Sequence, residues 1–196
     1  GSYLLKNPEK IGKIIKLLKG EGLTVTAKIR LGFKDNNVLK ISKEIEKAGA
    51  DAITVHARLA NEGGGVPADW TWISKVKKNS GIPVIGNGDI FLGRDAEKML
   101  EIADGAMIAR SAIGDPLIFS RINHYLKTGE EEDFDFKKNI NKFREYLQLA
   151  KHYDLIDIGR IKYIGTSFLR NVEGAARMRT ELMLKKNYDD IVNFVN

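Results

Sequence analysis

Apolar and polar positions along this chain follow two periods in turn, and the switches between them mark out its elements. In residues 7–19, Ile11, Ile14, Ile15, Leu17 and Leu18 recur at helical spacing, with Asn7 as N-cap, Pro8 at the first helical position and Gly20 past the end. Residues 24–30 then read as a strand, rich in β-branched side chains and closed by Leu31-Gly32. A helix over 38–48 stops at Gly49, and the alternation continues: strand 52–56, helix near 70–78, strand 83–86, helix 93–102, strand 105–109 and a short helix from about Pro116. Strands separated by helices of this length form βαβ units, and these four are short and apolar enough to be buried on both faces, as a parallel sheet requires.

Beyond Lys127 the pattern changes. An acidic turn over 129–135 is followed by helical periodicity in 136–152, 161–170 and 188–194, with 175–184 a further helix former and no strand pattern among them. The prediction is therefore two units, an α/β unit over 1–128 and a small all-helical unit over 136–196.

Composition narrows the function classes. With 43% hydrophobic and 30% charged residues, the chain falls with folded globular proteins rather than disordered ones. No run approaches the roughly 18 apolar residues of a membrane span, and the N-terminus lacks an export signal, so the expected setting is the cytoplasm, away from membranes. The absence of cysteine excludes disulfides, thiolate metal sites and any thiol acid among these residues, and no metal site is expected. The net charge of +6 permits an acidic partner such as nucleic acid, though simple solubility accounts for it equally well. Residues 137–196 carry twelve Lys/Arg against seven Asp/Glu, which the run Glu130–Asp133 with Asp135 offsets.

In parallel α/β structures the working residues sit where strands end and their loops begin. Here those ends are polar: Lys28 and Arg30, then His56 and Arg58, then Asn87-Gly88-Asp89, then Arg110. Taken singly, each has an ordinary alternative: Lys28 as an ion-pair partner, His56 as a core imidazole, Asn87-Gly88-Asp89 as a turn. Four in succession are harder to explain in that way, because parallel strand interiors prefer apolar residues. Gly86-Asn-Gly88 and the run from Ala109 to Gly114 add backbone amides able to approach an oxyanion ahead of a helix, so the spacing points to a phosphate-bearing ligand. The rule that barrels hold phosphate after their last two strands would make these strands the second half of a TIM (β/α)8 barrel.

The string Thr26-Ala-Lys28-Ile-Arg30-Leu-Gly32, Ala48 to Arg58, Ala68-Asp-Trp70, Ile82 to Ile90 and Asp104 to Arg110 resembles, in order and interval, the later half of tRNA-dihydrouridine synthases. That resemblance implies an enzyme that uses FMN and NADPH to reduce uridine to dihydrouridine in tRNA. Carried over by motif, Lys28 and His56 lie against the flavin ring, Asn87, Gly88 and Asp89 hold its ribityl and phosphate side, and Ala109 and Arg110 hold the phosphate. Arg58 falls nearest the substrate uracil, and Arg160 and Lys162, with Arg170, Arg177 and Arg179, fall in a helical tRNA-binding domain. The family's general-acid cysteine has no counterpart here, so no catalytic residue is expected in this chain, which reads as an N-terminally truncated piece, inactive alone. Two other readings stand beside this one: a non-catalytic RNA-binding half-barrel, and another FMN barrel, such as a dihydroorotate-dehydrogenase-like enzyme. Unpaired barrel edges would also offer a route to self-association.

Overall fold

Asn7 opens the first helix as the spacing requires: its side-chain oxygen accepts the Lys10 amide N–H at 3.0 Å, and Pro8 takes the first turn, where no amide donor is needed. In the computed structural model, which describes residues 1–196, this helix, α1, runs Pro8–Gly20 behind a 3-10 turn over Ser2–Lys6. Gly20 is its last residue rather than the stop beyond it. There follow β1 (Thr26–Arg30), α2 (Val38–Lys47), β2 (Ala52–His56), α3 (Thr71–Lys78), β3 (Val84–Asn87), α4 (Gly93–Leu100) and β4 (Gly105–Met107). The strands make one parallel sheet in the order β1-β2-β3-β4, each joined to the next through one helix. This is an α/β fold, consistent with part of a (β/α)8 barrel.

Register decides which side chains share a face, because paired residues of neighbouring strands project to the same side. Ile29, Val55, Gly86 and Ala106 form one row, preceded by Ile53 and Val84. Ile29, Ile53, Val55 and Val84 are buried, together with Val38, Ile41 and Ile45 of α2, Ile73 and Val76 of α3, and Ala96 and Met99 of α4. The helices therefore cover this face. Gly86 belongs to it: a β-carbon there would stand 2.0 Å from the Met99 sulfur, so the glycine makes room for a core methionine. The opposite face carries Lys28, Thr54, Ile85 and Gly105 in one row, then Arg30, His56, Asn87 and Met107.

Two aspartates do the same work at the other end of the strands. Asp51 accepts the Val25 N–H at 2.6 Å and the Lys19 ammonium at 3.0 Å, while Asp104 accepts the Val84 N–H at 2.7 Å and pairs with Lys77 at 2.7 Å. The Val25 amide and then Lys19 hold the Asp51 carboxyl below the usual carboxylate range; for Asp104 it is Lys77 and then the Val84 amide.

The chain divides between Ala109 and Arg110. The second unit holds a 3-10 turn over Arg110–Ala112 and five helices: α5 (Ile118–Thr128), α6 (Phe136–His152), α7 (Ile158–Phe168), α8 (Ala175–Leu184) and α9 (Tyr188–Val195). Asp135, Asp157 and Asn187 cap α6, α7 and α9 through their side chains. Phe143, Leu147, Ile161, Phe168, Leu169, Leu182 and Ile191 form its core, with Phe143 stacked on Phe168 at 5.1 Å between ring centres.

The sequence pattern places the change of unit at 128–136, well after the observed division. The reason lies in a contact between distant residues: the Asn139 side-chain amide in α6 donates to the Gly114 carbonyl at 2.8 Å, and a β-carbon on Gly114 would strike the Ser167 and Phe168 backbone. The segment after Arg110 is thus fastened to the later helices. No helix is long and apolar enough to cross a membrane.

Candidate functional site

The polar face of the sheet ends in a row built by pairing. Arg30 is paired with His56 and His56 with Asn87, with Lys28 one step back on the same face. Solvent still reaches Lys28, yet partial burial is the larger cause lowering its pKa, with the Arg30 charge second. Asn87 is buried and donates from its amide nitrogen to the Met107 carbonyl at 2.7 Å, tying β3 to β4.

The loop after β3 turns back toward this row. Gly88 has φ +124° and Asp89 φ +54°, left-handed conformations that glycine and aspartate tolerate best. A β-carbon on Gly88 would stand 2.8 Å from Ala68 Cβ and 3.3 Å from His56 Cδ2, so the backbone approaches the imidazole as closely as a glycine allows. Trp70, at the start of α3, donates from its indole N–H to the Gly88 carbonyl at 2.8 Å.

Arg58 is the most enclosed of the charged residues at these strand ends. The residue is 2% exposed. Its Nε donates to the Val66 carbonyl at 2.5 Å, one terminal nitrogen lies 3.3 Å from His56 Nε2, and the other donates to Asp89 at 2.5 Å. Asp89 also accepts the Ala68 N–H at 2.9 Å. A guanidinium taken out of water needs such partners, and these make Arg58 a strut between the loops after β2 and β3.

Glu62 escaped the sequence reading, and so did the contacts that Arg30 makes. Arg30 donates to the carbonyls of Leu59 and Glu62 at 2.7 and 2.9 Å, and the Glu62 carboxylate accepts the Leu59 N–H at 2.7 Å. Arg30 thus shapes the loop after β2 from the neighbouring strand. The three-residue spacing of Leu59 and Glu62 is the one local signal, since the Arg30 contacts join residues far apart in the chain.

The remaining expected residues lie at the junction of the two units and in the second unit. Ala109 closes the first unit and Arg110 opens the second, both exposed. Arg160 is exposed in the first turn of α7, while the Lys162 ammonium donates to the Met183 carbonyl at 3.0 Å, in the last turn of α8. Arg179 is likewise engaged, with the Leu169 carbonyl at 2.9 Å, whereas Arg170 and Arg177 are exposed. No group of three His, Cys, Asp or Glu side chains is placed to hold a metal ion.

A family model described as dihydrouridine synthase (Dus) matches residues 1–194. The chain belongs to the dihydrouridine synthase family. A probable tRNA-dihydrouridine synthase of Aquifex aeolicus is 33% identical over 199 residues, covering 97% of this chain and 61% of its own length. One from Rickettsia conorii is 38% identical over 85% of this chain and 49% of itself. A tRNA-dihydrouridine(16) synthase of Neisseria meningitidis serogroup B is 36% identical over 76% of this chain and 47% of itself. This member thus spans about half the length of the curated Dus relatives it matches, somewhat more in the Aquifex case. Among solved structures, a chain of the Amycolatopsis orientalis BexX/CysO complex aligns with a TM-score of 0.46 at 18% identity, over 63% of this chain and 52% of its own.

Proposed function

We propose that these residues form the flavin-binding part of a tRNA-dihydrouridine synthase, the four strands being the second half of a (β/α)8 barrel whose polar face holds FMN. The single observation that carries the reading is the row Arg30, His56 and Asn87, with Lys28 behind it, on one face of a sheet in a Dus-family chain. The donor set suits a phosphorylated, electron-accepting ring: Lys28 and Arg30 bring positive charge, and His56 and Asn87 bring hydrogen-bonding groups. FMN, reduced by NADPH, would supply the hydride for uridine in tRNA.

Within that reading Lys28 sets a cation against negative charge on the ring. His56 orients the ring, Asn87, Gly88 and Asp89 line the ribityl and phosphate side, and Ala109 and Arg110 bind the phosphate itself. Arg58 acts in this reading chiefly as a strut, because it is 2% exposed and three of its five N–H groups are held by Val66, His56 and Asp89. Arg160, Arg170 and Arg177 present charge to tRNA phosphates from the second unit, with Lys162 committed to a helix end. The family's general-acid cysteine has no counterpart among these residues, so in this reading the proton for the uracil ring would come from outside them.

Support for the half-barrel comes from the sheet's edges. β1 and β4 each have a strand on one side only. Beside β1 lies a groove of about 420 Å³ lined by Leu4, Ile11, Ile14, Ile15 and Leu18. Further strands of the barrel would cover that edge, and a second copy of this chain is the other candidate, separated by measuring the mass in solution.

The test supplies the purified chain with FMN, NADPH and tRNA, and reads flavin binding by absorbance and dihydrouridine by mass spectrometry. Flavin should bind with no uridine reduced. A chain that binds no flavin, or that reduces uridine unaided, contradicts the reading.

A further inference from the structure

Arg58 and His56 meet in a way that fixes the chemistry of the imidazole. A guanidinium has only N–H donors and stays protonated at any pH a protein experiences. Its terminal nitrogen lies 3.3 Å from His56 Nε2. A hydrogen bond there requires a lone pair on Nε2, so the ring must be neutral, with its proton on Nδ1. The alternatives set N–H against N–H, and an imidazolium would add a second positive charge at that distance.

Arg58 is held so that it cannot turn away from the ring. Val66 takes its Nε–H, and Asp89, itself fixed by the Ala68 N–H, takes the other terminal nitrogen. The arginine is 2% exposed, so it cannot exchange His56 for water without breaking this lattice. On the other side, the loop closes against the same ring edge, with the Gly88 position facing Cδ2 and Nε2. The Cδ2–Nε2 edge is therefore spoken for by the protein, and the opposite edge carries the Nδ1 proton.

We infer that Arg58 is a positioning residue for His56, locking it as the neutral Nδ1–H tautomer so that it serves as a hydrogen-bond donor rather than a cation. The consequence for the cofactor rests on the proposed flavin reading. It divides the labour at the ring: Lys28 supplies the positive charge, and His56 supplies hydrogen-bonding capacity without charge. A neutral His56 also leaves Lys28 as the group whose protonation follows the charge on the flavin.

The experiment is a two-bond 1H–15N correlation spectrum of the histidine side chains in the full 15N-labelled chain at neutral pH, without flavin. There are three histidines, so His124→Gln and His152→Gln identify the His56 signals. The expected pattern is a neutral ring protonated at Nδ1. In Arg58→Met the pattern should change to Nε2–H, and Arg58→Lys, which keeps a cationic donor, should restore the wild-type pattern. An Nε2–H or doubly protonated His56 in the wild type overturns the inference, and so does an unchanged Nδ1–H ring in Arg58→Met. The wild-type spectrum decides alone if Arg58→Met does not fold. Because no flavin is present, a failure to bind FMN in a separate titration leaves this result standing and counts only against the cofactor reading.

Discussion

At the scale of single residues, the Arg58–Asp89 pair shows how burial distributes cost. Arg58 is almost wholly enclosed, whereas the Asp89 side chain is 26% exposed. Removing the acid strands a desolvated cation, while removing the arginine leaves a carboxylate that water can reach. Asp89→Asn should therefore cost more than Arg58→Met, with the former near the roughly 3 kcal/mol expected for breaking a buried pair; urea unfolding of both variants measures the order, and the reverse order would refute it. Lys28 makes a second prediction. Its folded pKa lies below the ordinary 10.5, so the unfolded state binds more protons between those values and stability rises with pH across that window. Affinity for an anionic flavin should run the other way, falling as pH climbs through the lowered value, and Lys28→Met should abolish that step. The polar strand ends were legible in the sequence because lysine, histidine and asparagine are out of place in a parallel strand. The role of Arg58 was not, because its partner Asp89 lies 31 residues away on another loop and the residue's burial is invisible in a string.

At the scale of elements, local signals and tertiary pairing divided the work. β2, α6 and α8 span the residues that periodicity and capping chemistry indicate. β3 runs one residue further than its apolar pattern, because Asn87 pairs with both His56 and Met107. α7 begins three residues before its apolar run, where Asp157 caps it. Asp51 and Asp104 pin strand starts from the turns that precede the next strands, a device whose partners again lie on other elements. Both carboxyls titrate below the ordinary 3.8, so their contribution is present above that value and is lost as pH falls through the folded pKa. The melting temperature of Asp51→Asn/Asp104→Asn should thus lie below wild type at neutral pH and converge with it in acid; a constant gap would refute the assignment. In the second unit, Gly165 faces Phe143 at 2.5 Å and Leu182 at 2.8 Å from where a β-carbon would stand. Gly165→Leu should cost at least 1–3 kcal/mol by overpacking, read from thermal unfolding.

At the scale of the whole molecule, the alternation of strands and helices fixed the parallel α/β class before any contact was known. The division between units was less accessible. α5 has the same helical periodicity whichever unit it joins, and what assigns the segment after Arg110 is the bond from Asn139 to Gly114, 25 residues apart. Family membership rests on a match across residues 1–194, and it gives the strand-end row its chemical meaning. The decisive measurement is a flavin titration of the wild-type chain, Lys28→Met and Arg160→Ala, followed by FMN fluorescence. One FMN should bind per chain, Lys28→Met should weaken binding about ten- to hundredfold, in line with the roughly 1.5–3 kcal/mol of a charged hydrogen bond, and Arg160→Ala should bind as wild type does. No binding by the wild type, or equal binding by Lys28→Met, would contradict the account.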